Sequence, residues 1–307
     1  MSRGACAERS ACATLGPFKA MSHALANRLR LLGAALLFST GGAAIKAASL
    51  SGWQVASFRS GVAALALLAL APATRRGWSL RVLPVGLAYS TTLALFVLAN
   101  KLTTAANAIF LQDTAPLYLL ILGPILLHEP VRRQDLVLIA VMLAGMSLFF
   151  AGQETATRTA PDPLQGNLLA AASGISWALT IAGLRWLSAK QGAAAAAPAV
   201  VVGNLVAFFG CLPMALPLTV LRLQDAAVVM YLGVVQIALA YVLLTRALAH
   251  VPALEASLLL LSEPALNPVW AWLVHGERPG RWALIGGAMI LGACAANTWR
   301  RREAARG

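Results

Sequence analysis

The sequence predicts an all-α integral membrane protein in which ten transmembrane helices form two inverted five-helix repeats. The first observation is composition: of the 307 residues, 59% are hydrophobic and 11% are charged, which excludes a soluble globular domain. The second is spacing, because the charges stand between long uncharged runs such as the 31 residues of Gln191–Leu221. A run of this length is long enough to cross a bilayer.

The third observation is an internal repeat. Residues 104–129 align with residues 252–277 without a gap, so that Pro116 meets Pro264 and Glu129 meets Glu277. Repeats of membrane helices are typical of secondary transporters. Five spans in each half is an odd number, which turns the second copy upside down relative to the first.

The individual spans follow from the apolar runs in chain order. A helix rises about 1.5 Å per residue, so about 20 residues cross a hydrocarbon core of about 30 Å. The predicted spans are 30–50, 53–72, 82–101, 104–127 and 135–152 in the first half, and 166–187, 198–221, 226–247, 250–274 and 281–299 in the second. They divide the chain into an N-terminal tail (1–28), a first repeat (29–152), a linker (153–165), a second repeat (166–299) and a basic tail (300–307).

The net charge of +13 reflects membrane topology and does not indicate a nucleic-acid partner. With the N-terminus in the cytoplasm, most of the 24 Lys and Arg residues lie in the two tails and in the loops on the same side. This positive-inside bias predicts a multi-pass protein of the cytoplasmic (inner) membrane, with both termini cytoplasmic and the linker outside. Span one lacks the cleavage site of a signal peptide, and Met1 and Met21 are equally good starts.

The chain resembles the EamA-type members of the drug/metabolite transporter superfamily over residues 29–299. The resemblance is carried by Pro116 to Leu127-His128-Glu129, by Pro264 to Val274-His275-Gly276-Glu277, by Phe38 and Trp177 near the openings of the two halves, and by Arg59. It implies transport of a small molecule through a central cavity enclosed by spans one, three, four, six, eight and nine. It also implies a structural role for Arg59, which ties span two to its neighbours.

Asp113 is the leading candidate for a substrate-binding or proton-binding group. It lies about nine residues into span four, near the membrane midplane, where an ionised carboxylate costs at least about 2.5 kcal/mol. Gln112 precedes it, and Asn107 lies nearer the start of the same span. Asp113 either binds an amine or takes up a proton; the alternative is a structural pairing with a basic residue such as Arg59.

Glu263 is the second acidic candidate, in the middle of span nine and directly before Pro264. Proline leaves a carbonyl group one turn earlier without its partner, so a kink is expected at Pro264 and at the matching Pro116. The two acids are not strict equivalents in the alignment, but each lies near one of the two kinks. The resemblance favours a structural or gating role for Glu263 over a role in substrate choice.

Two further charged residues have two interpretations each. Lys46 could attract a substrate carboxylate or extend to the outer interface, and Glu255 could line the cavity mouth or extend to the cytoplasmic interface. Candidate cavity walls are Tyr89, Tyr118, Trp177, Gln236 and Tyr241. Packing is the alternative for each aromatic residue, whereas the Gln236 amide needs a partner in hydrocarbon.

These residues predict a secondary active transporter that moves an amino acid or related amphiphilic metabolite by alternating access, as proton-coupled efflux. An organic-cation or drug exporter is the second interpretation, and uptake is the alternative direction. An enzyme or a receptor embedded in the membrane would need a polar constellation or a deep lysine that the spans lack. The sequence contains no cofactor or metal motif. The expected partners are the substrate and the lipid bilayer, and the small residues Ala288, Gly292 and Ala296 either mediate a homodimer or pack within the chain.

Overall fold

Helices lie at every position where the sequence predicts a span. The structure, a computed structural model, describes residues 17–126, 133–151, 155–191, 196–218, 222–248, 250–251 and 253–304. The first half contains α1 (Pro17–Ser39), α2 (Gly41–Ala47), α3 (Gly52–Leu70), α4 (Val82–Leu102), α5 (Ala105–Gln112), α6 (Ala115–Leu126) and α7 (Arg133–Ala151). The second half contains α8 (Pro163–Gln191), α9 (Ala197–Ala215), α10 (Leu223–Met230), a π-helical segment (Tyr231–Leu239), α11 (Ala240–Leu248), α12 (Ala253–Leu260), α13 (Ser262–His275) and α14 (Arg281–Ala304).

Seven of the described helical stretches are long and apolar enough to cross a membrane. They correspond to predicted spans one, two, three, six, seven, eight and ten. The apolar helix Asp135–Ala151 is shorter, and predicted spans four and nine are each divided into two short helices. The all-α membrane class is therefore confirmed, while the number of ten crossings stays a prediction.

The predicted spans four and nine contain complete interruptions where the sequence predicts kinks. Two residues, Asp113 and Thr114, separate α5 from α6, and Pro116 stands in the first turn of α6. α12 and α13 are separated at Leu261, and Pro264 stands in the first turn of α13. Proline is tolerated in the first turn of a helix, where its missing N–H has no helical partner in any case. Each proline therefore begins a new helix.

Span one is also interrupted, at Thr40 between α1 and α2. The Thr40 hydroxyl donates to the carbonyl oxygen of Leu37 at 2.7 Å, which satisfies a group at the end of α1. The two residues that follow are Gly41 and Gly42. α2 is therefore a short separate helix on the side of the membrane that the topology places outside.

The two halves pack through equivalent pairs of helices. α4 packs against α8, so span three contacts span six, and α1 packs against α11, so span one contacts span eight. These two contacts are equivalent, because span three corresponds to span eight and span six to span one. α3 packs against α9, and α7 against α14; each of these pairs maps onto itself when the halves are exchanged. This pattern is expected of two homologous halves related by a two-fold axis. Inversion across the membrane stays a prediction from the odd number of spans.

The small residues of α7 and α14 allow these helices a close approach inside the chain. A Cβ atom placed on Gly286 would lie 2.5 Å from the carbonyl oxygen of Gly145, whereas one on Gly292 would meet no atom within 4 Å. The close approach uses Gly145 and Gly286, which are not members of the predicted pattern of Ala288, Gly292 and Ala296, and the homodimer stays a prediction.

α8 begins at Pro163, so this helix extends three residues into the predicted linker. Asp162 precedes this helix, and its carboxylate accepts from the Gln165 N–H at 3.1 Å, as an N-cap does. Several elements of the sequence analysis lie outside the described residues. These are the tail as far as residue 16, Glu129, residues 153–154 of the linker and the last three residues of the basic tail.

Candidate functional site

The interruptions of spans four and nine place two acidic residues, Asp113 and Glu263, on or directly beside two helices that are in contact. Asp113 follows α5, and its N–H donates to the carbonyl oxygen of Ile109 at 2.9 Å. Glu263 lies in the first turn of α13, and α5 and α13 are in contact. Both side chains are partly exposed.

Neither carboxylate has a basic partner in the part of the chain that the structure describes. The ion pairs Arg28–Glu255 and Lys46–Glu277 both use other carboxylates. Arg59, the alternative partner considered for Asp113, is buried and donates from Nη2 to the carbonyl oxygen of Leu93 at 3.1 Å. The structure therefore does not pair Arg59 with Asp113, and Arg59 connects spans two and three.

Two neighbouring carboxylates without a basic partner have a restricted chemistry. Like charges near each other disfavour full ionisation of both groups, and an ionised carboxylate without a basic partner is costly within a membrane span. Such a pair holds a shared proton, or it binds a cation that balances its charge. The arrangement of Asp113 and Glu263 is suited to either role.

Two of the predicted amide candidates lie in different surroundings. The Oε1 atom of Gln112, beside Asp113, is buried and has no hydrogen-bond partner among the described residues. Gln236 lies in the π-helical segment, and its Nε2 donates to the carbonyl oxygen of Phe38 in span one at 3.3 Å. Gln112 is thus close to the carboxylates, whereas Gln236 links span eight to span one.

Three predicted aromatic candidates meet on the side of the protein that the topology places in the cytoplasm. The ring centroids of Tyr89 and Trp177 are 6.4 Å apart. With Thr180 and Tyr241, they line a cavity of about 30 Å³. Tyr118 lies elsewhere, with its hydroxyl 3.6 Å from the Sδ atom of Met146 on α7.

The opposite side of the protein is closed by a buried ion pair between Lys46 and Glu277, which we call the outer ion pair. The Nζ and Oε2 atoms lie 3.1 Å apart, and the side chains are 3% and 4% exposed. Lys46 also donates to the carbonyl oxygens of Thr103 and Thr159. Because its ammonium group has these partners, Lys46 is not directed at Asp113 in this structure.

The backbone that ends α13 explains how Glu277 reaches this position. Gly276 has φ 68°, a left-handed conformation that glycine adopts without strain. Its N–H donates to the carbonyl oxygen of Trp272 at 2.8 Å. The chain turns back there, and Glu277 Oε1 accepts from the N–H of Ala105 in the first turn of α5 at 2.5 Å. The Gly-Glu sequence thus directs a carboxylate towards both Lys46 and a helix N-terminus, where negative charge is favourable.

The candidate Glu255 lies at the other end of span nine. Its Oε1 atom is 2.5 Å from Nε of Arg28, which lies on α1 just before predicted span one, and the two side chains are 33% and 52% exposed. We call this contact the inner ion pair. It places Glu255 near the predicted cytoplasmic face and away from Asp113.

Asn107 belongs to a buried polar network that the sequence analysis did not recognise. Its Nδ2 donates to Oδ1 of Asn167 at 3.1 Å, and the Thr103 hydroxyl donates to the same oxygen at 2.7 Å. Asn100 and Asn267 lie nearby and are both fully buried. A signal was present, because an asparagine inside an apolar span requires a partner or a function.

The family model described as the EamA-like transporter family matches residues 29–151 and 164–299. Among solved structures, a crystal structure of a protein is similar over 90% of this chain and 98% of its own chain, with a TM-score of 0.59 and 19% sequence identity. At this identity the similarity concerns the fold alone. No curated protein matches the sequence significantly.

Proposed function

Because the chain belongs to the EamA-like transporter family, whose members are membrane transporters of the drug/metabolite type, we propose that it is a secondary active transporter of a small metabolite that carries a protonated amine. It exports this substrate across the cytoplasmic membrane by alternating access, in exchange for protons. The proposal rests chiefly on one observation: Asp113 and Glu263 both lie where a membrane helix is interrupted, and the two interrupted segments are in contact. Discontinuous helices near the membrane midplane are where secondary transporters bind substrates and coupling ions.

The exchange follows from competition for the same two carboxylates. In the ionised state they attract an ammonium group, and after protonation they release it because the favourable charge pairing is lost. The transporter opens either to the cytoplasm or to the outside. If it changes between these two states only when the carboxylates hold the amine or protons, it exchanges one for the other. The coupling arises because the occupant of the carboxylates changes the relative stability of the two states.

The two substrate classes are distinguished by Lys46. Recognition of an amino acid needs a basic group for its carboxylate, and Lys46 was the candidate. Its ammonium group is 3.1 Å from Glu277 and has two carbonyl partners besides. This favours an organic cation without a carboxylate as a second candidate substrate.

A transport assay with reconstituted liposomes tests the proposal. A panel of labelled amines and amino acids is first scored by counterflow. With the substrate so identified, Asp113→Asn and Glu263→Gln should each reduce transport driven by a pH gradient more than tenfold. Asp162→Asn, which changes an exposed acid in the loop before α8, is the matched control and should transport normally.

The behaviour of exchange separates the roles of Asp113. If Asp113 carries only the proton, Asp113→Asn should retain substrate exchange while losing gradient-driven transport. If it binds the amine, both should fail together. Normal gradient-driven transport by a well-folded Asp113→Asn protein would contradict both roles.

A further inference from the structure

Two asparagines between the carboxylates and the outer ion pair are buried without full hydrogen bonding. Asn100 and Asn267 are each 0% exposed. Neither polar side-chain atom of Asn267 has a partner among the described residues, and Oδ1 of Asn100 has none either. A buried polar group left unsatisfied costs about 1–3 kcal/mol, and such exceptions in a native protein call for an explanation.

Both amides are directed at the same point, beside Gly42 of α2. A Cβ atom placed on Gly42 would lie 2.6 Å from Oδ1 of Asn267 and 3.0 Å from Oδ1 of Asn100. The two oxygens can therefore be no farther apart than the sum of these distances. Only a residue without a side chain fits over them, so α2 covers the two amides through Gly42.

Asn267 lies between Glu263 and Glu277 along α13 and the turn that follows it. Asn267 follows Glu263 by one helical turn, so the two side chains share a face of α13 with a rise of about 6 Å between them. Gly42 and Lys46 are likewise four residues apart on α2. Movement of α2 away from Asn267 would therefore have to break the contact between Lys46 and Glu277.

We propose that Asn100 and Asn267 form an outer subsite that binds the protonated amine of the substrate when α2 moves away. The Nδ2 atom of Asn100 donates to the carbonyl oxygen of Phe96 at 2.9 Å, which fixes Oδ1 as the group that faces the subsite. Two convergent acceptor oxygens select a ligand with N–H donors. The inference rests on the proposed function, since it gives the amine a second binding position between Glu263 and the outside.

The experiment uses a reporter cysteine at the subsite that is not one of its ligands. The Cβ atom of Ala105 lies 2.9 Å from the same point beside Gly42, so Ala105→Cys is placed in a protein whose four native cysteines are replaced. A membrane-impermeant thiol reagent is added from outside. Replacing the outer ion pair by Lys46→Gln together with Glu277→Gln should increase the labelling rate at least tenfold. An unchanged rate would overturn the idea that α2 is a cover.

The chemical class of the ligand is tested with two small cations, added to the Ala105→Cys protein that also carries Lys46→Gln and Glu277→Gln. Methylammonium, which has N–H donors, should slow the labelling of Ala105→Cys several-fold. Tetramethylammonium carries the same charge without a donor and should have no such effect. Equal protection by both cations would overturn the proposal that the amide oxygens recognise N–H groups.

Side-chain removal tests the two asparagines themselves. Asn267→Ala should abolish protection by methylammonium without lowering the melting temperature, because no hydrogen bond of Asn267 is lost. Asn100→Ala is a second variant with the same expected loss of protection. Asn204→Ala is the matched control: Asn204 is buried and its Nδ2 donates to the carbonyl oxygen four residues earlier at 2.9 Å, as in Asn100, but it lies in span seven.

Protection that persists in both Asn267→Ala and Asn100→Ala would overturn the outer subsite. The labelling readout does not require turnover, so it gives an answer even for a protein that fails to transport. Loss of the proposed function would appear instead as absent counterflow with normal protection by methylammonium.

Discussion

Two ion pairs connect the chain segments of spans one and nine, one near each end of these spans, and one pair is exposed whereas the other is buried. The inner ion pair, Arg28–Glu255, joins side chains that are 52% and 33% exposed. The outer ion pair, Lys46–Glu277, joins side chains that are 3% and 4% exposed. An exposed pair contributes about 0–1 kcal/mol, whereas removing one partner of a buried pair costs about 3–5 kcal/mol. One end of the contact between these spans is thus far harder to separate than the other.

The difference arises from the backbone around each pair. Glu277 is fixed by the turn at Gly276 and by the N–H of Ala105, and Lys46 by two carbonyl oxygens. Arg28 and Glu255 meet through long side chains on regular helices. Such an asymmetry is expected of a transporter that is closed at its outer face and loosely connected at its inner face. The following predictions test this comparison.

The largest expected effect concerns which pair faces outwards. The topology predicts that the loop containing Thr157 is outside and the N-terminal tail is in the cytoplasm. In a protein without native cysteines, Thr157→Cys should be labelled in intact cells by an impermeant thiol reagent, while Ser2→Cys should be labelled only after permeabilisation. The reverse result would place the Lys46–Glu277 pair on the cytoplasmic side and the Arg28–Glu255 pair on the outside.

Breaking the outer ion pair should produce the next largest effect. Lys46→Gln leaves Glu277 buried without its cation, so we expect a loss of about 3–5 kcal/mol in the free energy of unfolding. Thermal and denaturant unfolding of the purified protein measure it. The double variant Lys46→Gln with Glu277→Gln contains no unpaired charge and should recover most of the loss. A double variant as unstable as the single one would show that the charge pairing is not the cause.

A side chain on Gly42 should have an intermediate effect. In Gly42→Ala the new Cβ would approach Oδ1 of Asn267 to 2.6 Å, and overpacking of this kind costs about 1–3 kcal/mol. Gly33→Ala is the control in the same span, since its Cβ would meet Leu243 at 3.6 Å, an ordinary contact. Gly33→Ala should be neutral or stabilising by about 0.5–1 kcal/mol. Similar melting temperatures for the two variants would contradict the close packing of α2.

The sequence could predict the positions of the helices but not the partners of the polar groups. Apolar runs bounded by charges determine where spans lie, and the prolines indicate the interruptions near Asp113 and Glu263. The pairing of Lys46 with Glu277 joins residues 231 positions apart, and it depends on the interruption of span one at Thr40 and on the turn at Gly276. Hydropathy contains no information about such contacts. The same reason explains why Asn100 and Asn267 were not recognised.

The smallest change in stability is expected at the inner ion pair. Its size decides whether spans one and nine are held more tightly at one end than at the other. Arg28→Gln removes a cation that is half exposed, so water replaces it and the change in the free energy of unfolding should be below about 1 kcal/mol. The effect should decrease further in high salt, because exposed charges are screened. Arg30→Gln, two residues away with its guanidinium on Asn27 at 2.6 Å, is the control. A loss at Arg28→Gln as large as that at Lys46→Gln would mean that both ends are held with equal strength. Spans one and nine would then be closed at both faces, and release of the outer ion pair alone would not open the protein.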